Sequence, residues 1–469
     1  MTDMPRSRQL RRWSGATGAE AFVVTDRGER VAGRKVLMLT YEFPPSGGAG
    51  VQRMAKFARY LPEHGWEPVV VCAEPAQGRP LDSSLMAEVA TVPVTRLPGR
   101  HVAGAIAGAL RPLKRALGRG GSAGAGPTAA PAARTQPLSG RISSWVAVPD
   151  DAVLWARDAA EAAVREGRRA GVRAVIATGP PHSVLVAGMR AAAELGVPFV
   201  ADMRDAWRDN PGIRFATGLH RSRSLKLERA VLKAAAAVTA VSGPIADEAR
   251  ALGAREVHVL PNGYDPADLP PHAPAPQGPP TVTYMGRFYG SHDPRHFLAG
   301  FAEAIRAGGA AAGLRFEFVG PEPELLTAQA EALGIGAHVV AHGYLPHHEA
   351  LAVLARADAG LVVITDEPGS ASVLTGKVFE YLGMGLPVLL VGPTRGAAAD
   401  LIAELHAGLV AADGDVPAIA AALVRIAEAK SAGTPLAEPD AVGVARFDRR
   451  AQAAELAGLL DAVTGGAHG

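Results

Sequence analysis

Lys35–Thr40 reads KVLMLT, Tyr41–Gly50 YEFPPSGGAG, Val51–Gly65 VQRMAKFARYLPEHG and Trp66–Glu74 WEPVVVCAE. The order of these four pieces decides the fold. KVLMLT is an apolar run of strand length. The loop after it is rich in glycine and proline. In the third piece Val51, Met54, Phe57, Ala58 and Leu61 share one helical face, and Gly65 is placed to end the helix. WEPVVVCAE is a second strand. Strand, glycine loop, helix and strand make the βαβ unit of a parallel sheet.

The same alternation extends outward. A helix near Leu154–Glu166 leads to strand VRAVIAT, loop GPPHS, a helix at Val184–Leu195 and strand VPFVADM. The polar and aromatic loop RDAWRDNP follows at that strand's carboxyl end, where ligands bind in open α/β sheets. LERAVLKAAA reads as a helix, AVTAVS as a strand, and VHVLPNGYD closes the first half. After the proline-dense Pro266–Pro280, a second series presents strands TVTYMG, LRFEFVG, HVVAHGY, AGLVVIT and LPVLLVG. A helix over Val416–Glu428 is capped by Asp415, and a last helix spans Arg449–Leu460.

The fold class is therefore α/β, with two Rossmann-like domains facing across a cleft. An extension covers 1–33, the first domain 34–265, a hinge 266–280, the second domain 281–448, and a helix with its tail 449–469. Within the first domain, 101–140 breaks the pattern. Its first half is basic and mildly amphipathic, and its second is a Gly/Ala/Pro tract that buries little surface. It reads as a surface loop or as an insertion that meets a membrane surface or an acceptor, with peripheral contact through 101–119.

A chain of 469 residues exceeds one core. A net charge of +2, from 48 basic and 46 acidic residues, argues against a general nucleic-acid binder. The sole cysteine, Cys72, excludes an internal disulfide and a thiolate metal site. The basic, polar opening MTDMPRSRQLRRWSGATGAE lacks an apolar signal core, and no run approaches about 18 uncharged apolar residues. Cytoplasmic residence is the expectation, with contact at the inner face of the membrane allowed by 101–119.

Several motifs carry candidate chemistry. In Thr375–Pro387, TGKVFEYLGMGLP, Lys377 and Glu380 lie one helical turn apart. If the helix starts near Thr375, its free N–H groups and dipole favour a phosphate. Lys377 would meet that phosphate, and Glu380 would accept hydrogen bonds from sugar hydroxyls. Alternatively the two form a surface ion pair. Pro44–Gly50, PPSGGAG, lets backbone approach an anion but has neither Rossmann nor P-loop spacing. Arg287 ends the first strand of the second domain, where a guanidinium suits phosphate. His182 lies in the loop GPPHS, as a donor to a substrate oxygen or an acid/base. Asp202, Arg204, Asp205 and Trp207 in DMRDAW bind an acceptor or cap the next element. Asp413-Gly414-Asp415 is set aside as a metal motif because Asp415 suits an N-cap. No GxSxG elbow occurs, the match at Gly120–Gly124 falling in the Gly/Ala/Pro tract, and HExxH and CxxC are absent.

Taken in order, YEFPPSGGAGVQRMAKFARYLPEHGWEPVV, TGPPHS, ADMRDAW, VTAVS with VLPNGYD, and TGKVFEYLGMGLPVL resemble bacterial glycosyltransferases of family 4 (glycosyl transferases group 1), of GT-B architecture. The resemblance runs from Arg34 to the C-terminus apart from 101–140. It implies a nucleoside-diphosphate sugar held by the second domain and a glycan, lipid-linked or small-molecule acceptor on the first. It implies retention at the anomeric carbon without a metal or other cofactor, and a C-terminal helix crossing back to the first domain. Arg287 and Lys377 fall on the cations that neutralise the departing diphosphate, Glu380 on the glutamate that holds the ribose, and Gly47 and Gly48 on the loop across the cleft. His182 matches a histidine near the sugar. Ser372, Val373 and Leu374 fall on the donor loop, where many members carry a further glutamate eight residues before the first; here that position is Ser372. Glu367 would substitute if the loop folds back. The usual lysine after Arg287 is missing, and Lys377 or Arg295 would supply that charge. A sugar-nucleotide epimerase, a pseudo-glycosyltransferase and a non-catalytic nucleotide-sugar binding protein are the competing readings.

Overall fold

The computed structural model describes residues 22–24, 30–47, 49–76, 81–82, 84–104, 147–208, 215–273, 277–288 and 292–465. Most of the 101–140 insertion and of the N-terminal extension, together with Trp145 and Gly48, lies outside the described residues. Within the extension, β1 (Phe22–Val24) pairs antiparallel with β2 (Arg30–Ala32).

The first domain follows in alternation: β3 (Arg34–Leu39), α1 (Ala49–Tyr60), β4 (Trp66–Ala73), β5 (Val94–Leu97), α2 (Val153–Ala170), β6 (Ala174–Gly179), α3 (Ser183–Leu195), β7 (Phe199–Met203), α4 (Gly218–Ala234), β8 (Ala237–Ala240), α5 (Gly243–Ala251) and β9 (Val257–Val259). Its seven strands pair in the order β5-β4-β3-β6-β7-β8-β9, all parallel. β6 and β7 are buried along their length and β3 from Val36 onward, as a sheet covered on both faces requires. Leu37 and Leu39 face α2 and α3, while Val36 and Met38 face the opposite apolar layer.

The α1 face expected from the sequence is fully used: Val51, Met54, Phe57, Ala58 and Leu61 are all buried. The helix stops at Tyr60, however, and a 3-10 turn over Leu61–His64 carries Pro62. Proline has no N–H for the α-helical ladder, which explains the earlier end. Gly65, at φ 79°, closes the turn.

The second domain comprises β10 (Thr281–Met285), α6 (Arg295–Ala307), β11 (Arg315–Val319), α7 (Pro323–Ala332), β12 (Val339–Gly343), α8 (His347–Leu354), β13 (Ala359–Val363), α9 (Gly376–Met384), β14 (Val388–Gly392), α10 (Ala397–Glu404), β15 (Gly408–Ala412), α11 (Val416–Ala432) and the short α12 (Ala441–Ala445). Its six strands, again parallel, run β12-β11-β10-β13-β14-β15. Asp415 caps α11 by accepting from the Ala418 N–H at 3.0 Å. Each sheet therefore reverses its strand order beside its first long strand, between β3 and β6 and between β10 and β13. Such switch points open a crevice at the strands' carboxyl ends.

The last helix, α13 (Arg449–Val463), leaves the second domain and packs on the first. Leu456, Leu459 and Leu460 join the layer of Val36, Met54 and Phe57. Burying a leucine contributes roughly 1.5–3 kcal/mol, so three of them anchor the crossing firmly. Polar contacts fix its end: Trp66 Nε1 donates to Asp461 at 2.7 Å, and Arg34 pairs with the same carboxylate at 2.6 Å. Among the described residues no helix is long and apolar enough to cross a membrane.

Candidate functional site

On the second domain, the carboxyl end of β10 meets the first turn of α9. Gly286 stands at φ +134°, and a Cβ there would come within 2.6 Å of Lys377 Cε. Only glycine permits both the backbone turn and the close approach of the lysine stem. Lys377 Nζ lies 4.8 Å from the Tyr284 ring centroid, a cation–π distance. Among the described residues it forms no ion pair. Burial pulls its pKa down to about 8, against the attraction of Glu380. Thr375 precedes α9 in extended conformation, yet its hydroxyl caps nothing and lies buried without a hydrogen-bond partner among the described residues. The first N–H groups of α9 thus keep no side-chain acceptor from their cap residue.

Arg287 follows Gly286 and is exposed, while its carbonyl accepts from the Tyr284 hydroxyl at 3.0 Å. Arg295 is committed to Asp293, its Nε donating at 2.8 Å. Of the two cations offered for the missing lysine, Lys377 therefore stands beside Arg287. Glu380 lies one turn further along α9. Burial raises its pKa, opposed by His347, Lys377 and Arg449. Its Oε1 is 3.4 Å from His347 Nε2. Together with Asp268 and Arg449 it lines a small pocket where the linker, α8 and α13 converge.

The loop before α9 is held both from within and by the first domain. Ser372 donates to the Gly369 carbonyl at 2.8 Å, and its own carbonyl accepts from Ser242 of the first domain at 3.3 Å. Val373 and Leu374 are half-buried and pack into the second domain's apolar layer. Glu367 is exposed, and its carbonyl accepts from the Ser370 N–H at 2.9 Å. Asp413 accepts from the Asp366 N–H at 3.1 Å and contacts His296 at 2.7 Å.

The facing edge of the first domain carries Gly47, half-buried in the loop after β3. Arg204 straps that edge together, donating to the Gly50 carbonyl at 2.7 Å and the Pro180 carbonyl at 2.6 Å. Its guanidinium therefore shapes two loops. His182 is buried, with Nε2 unpartnered among the described residues, and stacks on Trp207 at 4.8 Å. Burial lowers its pKa to about 4, opposed by a backbone hydrogen bond at Asp205. The imidazole is neutral at neutral pH, which favours hydrogen bonding over acid/base work. Asp205 reaches the surface; desolvation by its surroundings pushes its carboxyl up to about 6, against the pull of Arg204.

Trp207 corrects an expectation. Read as an acceptor-side aromatic, it is instead 1% exposed, with Nε1 donating to Ser224 at 3.0 Å. It backs His182 and presents no face to a ligand. Asp202 is also internal. Arg53 donates to it through Nε and Nη2 at 3.0 and 2.7 Å, and Thr178 and Thr239 donate at 2.7 and 2.6 Å. Desolvation would raise its pKa, but Arg53 and the hydroxyls outweigh it and lower the value. The sequence reading passed over His347 and Arg449. Their only local signals were a histidine opening the PHHE helix start and an arginine after the N-cap Asp448.

Comparisons with known proteins bear on the family and the fold. The profile of the family described as glycosyl transferases group 1 matches residues 279–429, and that of the glycosyl transferase 4-like domain matches 47–263. A 2-deoxystreptamine N-acetyl-D-glucosaminyltransferase of Streptomyces fradiae is 32% identical over 173 residues, 36% of this chain and 39% of that protein. The Anabaena protein HepE, solved in complex with UDP and glucose, superposes with a TM-score of 0.62 at 14% identity, over 92% of this chain and all of that one. The sucrose-phosphate synthase of Thermosynechococcus elongatus does so with 0.60 at 15%, over 92% and 100%. At such identities the structural likeness establishes the two-domain GT-B fold.

Proposed function

We propose, for a chain that belongs to the glycosyl transferases of group 1, that it moves a sugar from a nucleoside-diphosphate sugar to an acceptor hydroxyl, with retention at the anomeric carbon and without a metal. One observation carries this reading. Lys377 is a half-buried ammonium held against Gly286 and the start of α9, with no ion pair among the described residues and a pKa pulled down to about 8. A diphosphate would give that charge its missing partner at the start of α9, where the helix dipole favours an anion.

In this reading Lys377 and Arg287 hold the diphosphate, and Glu380 accepts from the ribose hydroxyls. Gly47 and Gly48 close on the phosphates from the first domain. The anomeric C–O bond to the phosphate breaks as the acceptor oxygen bonds to that carbon on the same face. The acceptor's proton passes to the phosphate oxygen that leaves. Negative charge grows on the diphosphate in the transition state, so the cations act where they stabilise most. The neutral, buried His182 would carry no proton in this step.

Uridine is the base to try first, since HepE was solved with UDP, and an aminocyclitol is the acceptor to try first, since the Streptomyces relative is named for one. Release of UDP from UDP-N-acetylglucosamine, with and without 2-deoxystreptamine, tests the reaction. Calorimetry of UDP, GDP and dTDP tests the site. Absence of binding by all three nucleotides would overturn the reading.

A further inference from the structure

The two cations of the donor site come from different elements, and one buried side chain touches both. Tyr284 lies on β10, just before Gly286 and Arg287, and is fully buried. Lys377 of α9 stands over its ring, with Nζ 4.8 Å from the centroid. The Tyr284 hydroxyl donates to the Arg287 carbonyl at 3.0 Å.

The support is firm. Phe288 stacks on the Tyr284 ring at 4.0 Å, and Phe318 of β11 continues the stack at 5.3 Å from Phe288. The Gly286 N–H donates to the Val319 carbonyl at 2.8 Å. A Cβ on Gly320 would come within 1.9 Å of the Gly286 carbonyl oxygen, so this peptide packs directly against the end of β11.

The two cations need different help. Lys377 is half-buried, and the negative face of an aromatic ring attracts its charged form without neutralising it. A carboxylate in the same place would hold the lysine too, but would repel a phosphate. Arg287 is exposed on a long side chain, so what the fold can fix is its backbone. The phenol hydroxyl does so, directly after a glycine at φ +134°. An aliphatic residue would fill the same core and hold neither cation.

We infer that Tyr284 is a positioning residue for the donor's diphosphate: its ring holds the Lys377 ammonium in place and its hydroxyl fixes the backbone that carries Arg287, so that both cations meet one anion. The inference rests on the glycosyl-transfer reading above, in which these two residues hold the phosphates. Groups fixed before binding lose less freedom when the ligand arrives.

The test is calorimetry on the full chain with UDP, GDP and dTDP, following whichever binds the wild type most tightly. Tyr284→Phe keeps the ring and removes the hydroxyl, and should weaken binding about fivefold. In an Arg287→Ala background the same change should weaken it by less than about twofold, because the side chain it positions is gone. A merely structural loss would be equal in both backgrounds. Tyr284→Leu removes the ring face as well and should weaken binding about 20-fold. It should also move the alkaline loss of affinity, expected near the Lys377 pKa of about 8, down by about half a pH unit. The sign follows from the ring: it favours the charged lysine, so without it the proton leaves at lower pH. Glu380, which also favours the charged lysine, is present in every variant. Tyr284→Phe should leave that midpoint in place. A loss below about twofold from Tyr284→Phe in the wild-type background, or equal losses in both backgrounds, overturns this inference alone. An unmoved midpoint in Tyr284→Leu also overturns it. Should Tyr284→Leu fail to fold, the Tyr284→Phe cycle decides by itself. A wild type that binds none of the three nucleotides overturns the parent reading and this one with it.

Discussion

Two charges short of water, one buried in the first domain and one half-buried in the second, are treated in opposite ways. Asp202 in the first domain is surrounded: Arg53 grips it twice, and Thr178 and Thr239 donate to it. Lys377 in the second domain has an aromatic ring and a glycine beside it and, among the described residues, no ion pair. Both groups lose hydration, yet the pKa of Asp202 still moves toward the charged form and that of Lys377 toward the neutral one. A charge satisfied by its own chain builds the fold, and a charge left short of partners waits for a ligand. The acidic pair of DMRDAW therefore divides: Asp202 belongs to the core, and Asp205 reaches the surface.

The contrast can be broken at either end. Asp202→Ala strips Arg53 and two hydroxyls of their acceptor inside the core. It should cost about 3–5 kcal/mol of stability in chemical denaturation, the range for breaking a buried ion pair. A loss below about 1 kcal/mol would remove Asp202 from the structural class. Lys377→Met should do the reverse. Its turnover should fall by about 100- to 1,000-fold, in the range of a lost transition-state donor, while its denaturation midpoint stays level or rises. A destabilised Lys377→Met would mean that the ammonium serves the fold, and the contrast would fail.

Smaller effects sharpen the same division. Glu380→Gln should weaken UDP binding by about tenfold in calorimetry, since a charge-assisted hydrogen bond contributes about 1.5–3 kcal/mol. Unchanged affinity would place Glu380 with the hinge contacts around His347 and Arg449 instead. The pH profile is the mildest probe. Lys377 must be charged to attract a diphosphate, and it is charged below its pKa of about 8. So kcat/KM should fall as pH rises through 8, by roughly tenfold per unit once the neutral form dominates. Lys377→Arg should remove that limb, because a guanidinium stays charged. A flat profile to pH 10 in the wild type would show that the lysine is not the group holding phosphate.

Much of the architecture was legible locally. Period-2 and period-3.6 patterns, punctuated by Gly and Pro, place the strands and helices, because each buried face repeats within a few residues. The Lys377–Glu380 spacing on one helix was legible for the same reason. Ser372 was legible as a departure from the family pattern, although its bond to Gly369 was not. Trp207 was misread because an aromatic in a polar loop looks exposed until the His182 ring and Ser224 are seen to cover it. Arg204 carries no local mark of its role, since the carbonyls it straps belong to Gly50 and Pro180.

The sequence by itself determined the two α/β domains, a last helix, and the positions of Arg287 after a strand and of Lys377 in the first turn of a helix with Glu380 one turn on. Helical and strand periodicity, together with loop chemistry, are properties of neighbours in the chain. The tertiary structure alone decided which charges are satisfied. Asp202 meets Arg53 from 149 residues away, and Tyr41 meets His101 from 60. Partnership of that kind depends on which strands lie side by side in the sheet, and with it goes the pKa of every buried group.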